Sequence, residues 1–173
     1  MLEGKFRRAL AAAVQDFHLP KYDAIPDDGL YLEQAALYVT EVLTVLPGTA
    51  LTGSMVSNYV KKGLLANPVR RKYHREQLAQ LIFIAVAKSV LSIEDIRLLV
   101  QLQRAGYDGR LAYETFRSEF GAALRSAFDA PPAQRTAAAA STSPERAVLH
   151  TAVVTIAHKL CLNQSLALFL RED

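Results

Sequence analysis

The segment from Glu76 to Val90 constrains the fold of this chain more than any other, because apolar residues surround most of its helical circumference. These apolar residues are Leu78, Leu81, Ile82, Phe83, Ile84, Ala85, Val86 and Val90, with Leu91 directly after them. A helix with so little polar surface has to be buried on several sides. The apolar run Leu78–Ala87 is too short to span a bilayer, and Lys88 follows it. We therefore expect this helix to be the central element of a helical domain.

Amphipathic patterns on both sides of this segment predict an all-α fold. Apolar residues recur at helical spacing in most of the chain, and the alternation typical of strands appears nowhere. Besides the central helix, we expect helices at residues 2–17, 30–46, 53–62, 92–106, 111–128 and 144–171.

The same patterns predict how the chain is divided. Residues 131–143 are rich in alanine, serine and threonine, which indicates a flexible linker. We expect a helix and loop over 1–24, a helical domain over 25–106, an amphipathic helix over 107–130, the linker over 131–143, and a C-terminal helix over 144–173. The last helix either packs on the domain or pairs with a second subunit.

Capping residues predict where several helices begin and end. Thr52 is a good N-cap. Gly63 supplies a left-handed C-terminal stop, with the apolar Leu64 beyond it. Ser92 and Asp95 form a capping box.

Other helix starts are less well specified by the sequence. Any of Asp27, Asp28 and Gly29 could help to start the helix at residue 30. His74 stands where serine or threonine would be expected before the central helix. We interpret it as structural or phosphate-adjacent and not as catalytic, because no orienting partner is visible.

Positive charge is concentrated just before the central helix. Residues 52–77 hold six Lys or Arg against one Glu, a formal charge of +5, so the rest of the chain carries −2 of the overall +3. Within six positions lie Arg70, Arg71, Lys72, Tyr73 and Arg75. Like charges this close repel one another unless an anion joins them. The cluster indicates contacts to phosphates, and the alternative is a merely solvated basic loop.

The helix before this cluster has a small polar face opposite Val56 and Tyr59. Its polar residues are Ser54, Ser57, Asn58, Lys61 and the adjoining Lys62. Serine and asparagine can bond base edges while lysine contacts phosphate, which suits a helix lying in the major groove of DNA. The alternative is an ordinary solvated face.

Several phrases between residues 51 and 99 carry a family resemblance. They are N-Y-V-K-K-G-L-L, a proline with a basic run, Y-H-R-E-Q-L-A-Q-L and L-S-I-E-D-I-R-L-L. In this order they resemble the DNA-binding domain of MerR-type transcriptional regulators, in which a helix-turn-helix is followed by a basic wing and a helix pair. Residues 25–100 more closely resemble an uncharacterised bacterial family of small MerR-like proteins, which shares L-T-x-x-M-x-x-N-Y-V-K-K-G-L.

The resemblance implies a MerR-like helix-turn-helix domain with additional C-terminal helices. It assigns Ser54, Ser57, Asn58 and Lys61 to the recognition helix, and Arg70, Arg71, Lys72 and Tyr73 to the wing. Two positions depart from the MerR pattern. Ser57 stands where that family typically has arginine, and the wing has no glycine-containing hairpin tip.

The sequence bears on three classes of function. The first is a DNA-binding transcriptional regulator that acts as a homodimer, with recognition helices about 34 Å apart. The second is a helical protein-protein interaction module with a repurposed helix-turn-helix fold. An enzyme is the third, and we do not expect one, because no catalytic or metal constellation and no phosphate-binding glycine loop has usable spacing.

The remaining expectations concern cofactors and location. Cys161 is the single cysteine, which excludes a disulfide within the chain and a thiolate-rich metal site. We expect no cofactor and no metal. The polar, charged start of the sequence shows no signal peptide, so we expect a cytoplasmic protein.

Overall fold

A computed structural model describes residues 12, 16–106, 108–129, 155, 158 and 159. The chain divides into two compact units, one formed by His18–Gly121 and the other by Met1–Phe17 together with Ala122–Asp173. The predicted linker, and most of the predicted helices at residues 2–17 and 144–171, lie outside the described residues.

The described part of the chain is all-α, as the sequence predicts. Its helices are α1 (Leu32–Val42), α2 (Gly53–Lys61), α3 (Arg75–Ala87), α4 (Ile93–Gly106) and α5 (Gly109–Asp129), and a 3-10 turn at Tyr22–Ala24 precedes them. Within the described ranges, β pairing is limited to two isolated antiparallel bridges, Leu30 with Tyr73 and Val69 with Lys72.

Helix α3 is the central helix of the unit, which confirms the prediction. Its buried residues are Gln77, Leu78, Ala79, Leu81, Ile82, Ile84, Ala85 and Ala87. Helix α1 packs against both α2 and α3. The predicted end of α3 was wrong, because the helix stops at Ala87 and Val90 lies in the following turn with 56% of its surface exposed.

Helix α5 also packs on α3. The rings of Phe83 and Phe116 meet edge to face with centroids 5.2 Å apart. The Tyr113 hydroxyl donates a hydrogen bond to the Pro20 carbonyl at 2.8 Å, so the same helix holds the N-terminal loop. The compact unit therefore continues to Gly121, past residue 106 where the sequence suggested that a domain ends.

The predicted N-cap residues form the expected hydrogen bonds at the starts of α2 and α4. The Thr52 hydroxyl accepts the Met55 N–H at 3.2 Å, and the Ser92 hydroxyl accepts the Asp95 N–H at 3.1 Å. After α2, Gly63 adopts φ +74° and Leu64 donates its N–H to the Tyr59 carbonyl at 2.9 Å. This is the predicted left-handed stop, and the Leu64 side chain is fully buried beyond it.

Asp27, one of three residues that could have started α1, caps a different helix. Its carboxylate accepts the N–H of Arg75 at 3.1 Å, so it caps α3 and not the nearer helix α1. The position before α1 is occupied by Tyr31, whose N–H donates to the Gln34 side chain at 2.9 Å. The loop around Asp27 is thus bonded to the start of α3, and Ile25 within it is buried, with 1% of its surface exposed.

Candidate nucleic-acid interface

A two-residue turn carries two exposed arginines between α2 and α3. Val69 and Lys72 exchange two backbone hydrogen bonds, of 3.0 Å from the Val69 N–H and 2.9 Å from the Lys72 N–H. The two residues between them, Arg70 and Arg71, have φ angles of +49° and +68°. Positive φ at both central positions is the signature of a type I′ hairpin turn. We call Val69–Lys72 the basic turn.

Arginine is an unusual residue for this conformation. Type I′ turns favour Asn-Gly, because a side chain at positive φ crowds the backbone. Each such residue costs about 1–2 kcal/mol. The sequence departed from the MerR pattern by lacking glycine here, and the structure shows that Arg70 and Arg71 adopt the left-handed conformation themselves.

Two glutamines of α3 hold the segment that leads into the basic turn. The Gln77 side chain donates to the Ala66 and Asn67 carbonyls at 3.1 Å and 2.8 Å, and accepts the His74 N–H at 2.9 Å. The Gln80 side chain donates to the Leu64 carbonyl at 2.9 Å. Because Leu64 also closes α2, these bonds attach both the end of α2 and the base of the turn to the central helix.

The other end of the basic turn is attached to the start of α1. Leu30 and Tyr73 exchange backbone hydrogen bonds of 2.9 Å and 2.8 Å. The Lys72 ammonium lies 5.2 Å from the centroid of the Tyr31 ring, within range of a cation–π contact. Gly29 has φ +84°, and a Cβ atom there would lie 2.9 Å from the Lys72 Cβ. The approach of the loop to Lys72 therefore requires glycine.

The predicted residues of α2 differ in exposure. Ser54, Lys61 and Lys62 are exposed, whereas Ser57 and Asn58 are half-buried. Val56 and Tyr59 are buried on the other side, and burial raises the pKa of the Tyr59 hydroxyl. The helix therefore has an inner apolar side and an outer polar side, as the spacing predicts.

An acidic side chain lies at the start of α2. The Glu33 carboxylate of α1 occupies the space where a Cβ atom on Gly53 would be. A carboxylate near the first turn of a helix is favourable, because the helix dipole is positive there. No local pattern predicts this contact, since Glu33 is twenty positions away from Gly53.

Two predicted site residues point inward or are already engaged. Tyr73 is buried with 4% of its surface exposed, and burial raises its pKa. Arg75 donates from Nε to the Ile25 carbonyl at 2.9 Å and from Nη2 to the Asp23 carbonyl at 3.4 Å. Both residues belong to the structural framework, so the surface available for an anion is smaller than the sequence indicated.

His74 belongs to the same framework. Its Nδ1 lies 3.0 Å from the Asp27 carbonyl oxygen and 3.9 Å from the Asp27 carboxylate. Of the two roles that the sequence left open for His74, structural or phosphate-adjacent, these contacts fit the structural one. Among the described residues, no group of three or more His, Cys, Asp or Glu side chains is placed to hold a metal ion.

Sequence reasoning missed the residues that position the basic turn. Gln77 and Gln80 lie in the apolar helix α3, whose sequence pattern predicts burial and no hydrogen bonds to the preceding segment. One signal was available, because Gln34 and Gln77 each stand three positions after an N-cap residue, as in a capping box. In the part of the chain that the structure describes, no helix combines the length and apolar character needed to cross a membrane.

The helices α1 to α5 and the basic turn between α2 and α3 define a small all-α domain. The chain belongs to the family described as Domain of unknown function (DUF1836), whose profile matches residues 20–117, more than half of the chain. The match spans α1 to α4, the basic turn and the first part of α5. No curated protein and no solved structure is detectably similar to the chain.

Proposed function

We propose that this domain binds double-stranded DNA as a MerR-like transcriptional regulator. In this proposal α2 enters the major groove and the basic turn contacts the phosphate backbone. The observation that carries it is the pair Arg70 and Arg71, both exposed and both at positive φ. Strained residues of this kind persist where the surrounding structure holds them, and they are frequent at functional sites.

The tethering of the basic turn supports this assignment. A flexible basic loop would lose conformational entropy on binding an anion. Here the hydrogen bonds of Gln77 and the Leu30–Tyr73 bridge fix both ends of the turn before any ligand arrives. An arginine pair held in this way is suited to phosphates, because guanidinium groups form charge-assisted bonds with them.

The proposed interface is a reduced set of the residues that the sequence suggested. It retains Ser54, Ser57, Asn58, Lys61, Lys62, Arg70, Arg71 and Lys72. Ser54, Ser57 and Asn58 would meet base edges, and the lysines and arginines would meet phosphates. Tyr73 and Arg75 are left out, because one is buried and the other is bonded to the loop before α1.

Fluorescence anisotropy on mixed-sequence DNA duplexes at several salt concentrations tests the proposal. We expect log affinity to fall linearly with log salt, since bound cations release counterions from the DNA. The variant R70N/R71G keeps a turn-compatible sequence and removes two charges. It should weaken binding at least tenfold and reduce the salt slope by roughly two.

The matched control removes two arginines from other exposed positions. R97Q/R125Q has the same change in net charge, with Arg97 on α4 and Arg125 on α5. It should leave both the affinity and the salt slope close to the wild type. Equal loss of affinity in both double variants would show that only total charge matters. Binding that is absent at low salt, together with capture of a protein partner, would favour the interaction module instead.

We also propose that the regulator acts as a homodimer. Two copies would read half-sites about one turn of DNA apart, near 34 Å. Light scattering of the full chain, alone and on DNA, measures the subunit number. One copy of the chain per duplex at saturation would contradict this part of the proposal.

A further inference from the structure

A cavity of about 480 Å³ lies between α3, α4 and the first turns of α5, all within the unit His18–Gly121. Its volume is in the range of small-molecule sites. The apolar wall includes Phe83, Tyr113 and Phe116. Phe83 meets Phe116 edge to face at 5.2 Å, and Tyr113 lies 6.4 Å from Phe116. These rings form an aromatic surface suited to a flat apolar group.

A cationic side chain borders the same cavity. Arg104 of α4 lines it, and its Nη2 donates to the Gln80 side-chain oxygen at 3.2 Å. A guanidinium carries five N–H donors, so this bond leaves donors for an incoming anion. Among the described residues that line the cavity, Arg104 is the only Lys or Arg.

The acidic side chains of the cavity are directed to the start of α5. The Asp108 carboxylate accepts the Leu111 N–H at 2.8 Å and caps that helix. The Glu76 carboxylate lies 2.9 Å from the place where a Cβ atom on Gly109 would be. Both negative charges are therefore stabilised by the positive end of the helix dipole. These two carboxylates disfavour a ligand with two negative charges. A ligand with one negative charge can still be bound through Arg104.

We propose that this cavity binds a small aromatic monocarboxylate, with its ring against Phe83, Tyr113 and Phe116 and its carboxylate on Arg104. Arg104 holds Gln80, and Gln80 holds the Leu64 carbonyl at the end of α2. A carboxylate that binds the remaining donors of Arg104 shares the guanidinium with Gln80 and weakens that bond, so occupancy loosens the support of the segment between α2 and the basic turn. An effect on DNA affinity would rest on the proposed function, whereas binding and loosening do not.

Binding is tested without DNA, using indole-3-acetate as the probe. The chain has no tryptophan, so indole emission reports the probe alone. We expect a saturable rise in its fluorescence anisotropy on titration with the full chain. R104Q should weaken the affinity about tenfold, the loss expected for a charge-assisted hydrogen bond. R97Q on the same helix should bind as the wild type does.

Three further probes separate the contribution of Arg104 from that of the aromatic wall. Indole-3-acetamide has the same ring without the charge and should bind at least tenfold more weakly. Phenylacetate and hydrocinnamate, followed by saturation-transfer NMR, extend the test to single rings. No saturable binding by any of the three carboxylates overturns the proposal. Equal affinity of the wild type for indole-3-acetate and indole-3-acetamide overturns the role of Arg104. Equal affinity of the wild type and R104Q for indole-3-acetate does the same.

Hydrogen exchange measures the link to the basic turn. Indole-3-acetate at saturation should increase amide exchange at least threefold in peptides covering residues 64–73, and R104Q should show the increase without ligand. Unchanged exchange at saturation overturns the coupling through Gln80. Because none of these measurements contains DNA, they give an answer even if the chain binds no DNA.

Discussion

Arg71 and Arg75 lie four residues apart in the chain and have opposite surroundings. Arg75 donates to the Ile25 and Asp23 carbonyls, has Nη1 3.9 Å from the Asp27 carboxylate, and lies 5.9 Å from the Tyr22 ring centroid. Arg71 is exposed at φ +68°. None of the hydrogen bonds or ion pairs found among the described residues involves its side chain.

The contrast extends to the regions around these two arginines. The loop from Pro20 to Asp27 is hydrogen-bonded to α3 through Arg75 and to α5 through Arg110 and Glu114. The Asp23 carboxylate accepts the Arg110 Nη1 at 2.8 Å, and Glu114 of α5 accepts the Tyr22 N–H at 2.7 Å. The basic turn instead uses backbone and glutamine contacts for its support and presents its cations outward. Charge composition alone does not separate arginines that build a fold from arginines left available to a ligand.

Removing the support of the basic turn should have the largest effect on stability. Gln77→Leu breaks three hydrogen bonds and leaves the Ala66 and Asn67 carbonyls and the His74 N–H without that partner. We expect a loss of about 3 kcal/mol in the free energy of unfolding, roughly 1 kcal/mol for each bond. Urea denaturation of the two proteins measures it.

Gln34→Leu is the matched control for that prediction. Gln34 has the same position in α1, three residues after the N-cap, but is exposed and accepts only the Tyr31 N–H in the contacts described. Its loss should cost about 0.5 kcal/mol, since water can replace the bond. Similar costs for Gln34→Leu and Gln77→Leu would mean that the attachment of the turn contributes little.

The same substitution at the two arginines should separate their roles. Arg75→Gln removes the bond to the Ile25 carbonyl and the contacts with Asp23 and Asp27, and should cost about 2 kcal/mol. Arg71→Gln should change stability by less than about 0.5 kcal/mol, as exposed substitutions generally do. Thermal and urea unfolding provide the comparison. A destabilising effect of Arg71→Gln as large as that of Arg75→Gln would remove the distinction.

The sequence predicted the framework well where the signal was local. Thr52, Gly63 with Leu64, and Ser92 each occupy the cap position that was expected, because helix ends are specified by residues a few positions apart. The central role of α3 followed from its composition, since a helix without a polar side has to be surrounded.

Contacts between distant segments could not be predicted in the same way. Asp27 was one of three residues that could have started the nearby helix α1, yet it caps α3 forty-eight positions along the chain. Arg75 was placed with the basic cluster because it is close in sequence, but the buried Ile25 brings a carbonyl to it. Sequence patterns predict contacts between residues that are close in the chain, whereas these partners are determined by how the N-terminal loop packs.

The strained turn itself should behave oppositely in stability and in binding. R70N/R71G places the residues that type I′ turns favour at φ +49° and +68°. We expect it to raise the free energy of unfolding by about 1 kcal/mol, by relieving left-handed strain and like-charge repulsion. The proposed DNA affinity falls in the same variant. Loss of both stability and binding would indicate that the arginines support the fold.

The smallest expected effect is on the pH dependence of stability, at the contact between α5 and the loop from Pro20 to Asp27. Glu114 has a lowered pKa, chiefly because its carboxylate accepts the Tyr22 N–H, with a further contribution from Arg117 and burial opposing both. A carboxylate whose pKa falls on folding stabilises the folded state above its unfolded value, near 4.5, and loses that contribution as pH drops through the folded value.

Glu114→Gln should therefore cost about 0.5 kcal/mol at pH 7, a small figure because solvent screens the group, and progressively less below pH of about 4. Urea denaturation of the wild type and the variant between pH 3 and pH 7 measures this convergence. Glu119→Gln on the exposed side of α5 should run parallel to the wild type throughout. Because the amide of glutamine can still accept the Tyr22 N–H, a difference that persists unchanged at pH 3 would assign the effect to packing and not to charge.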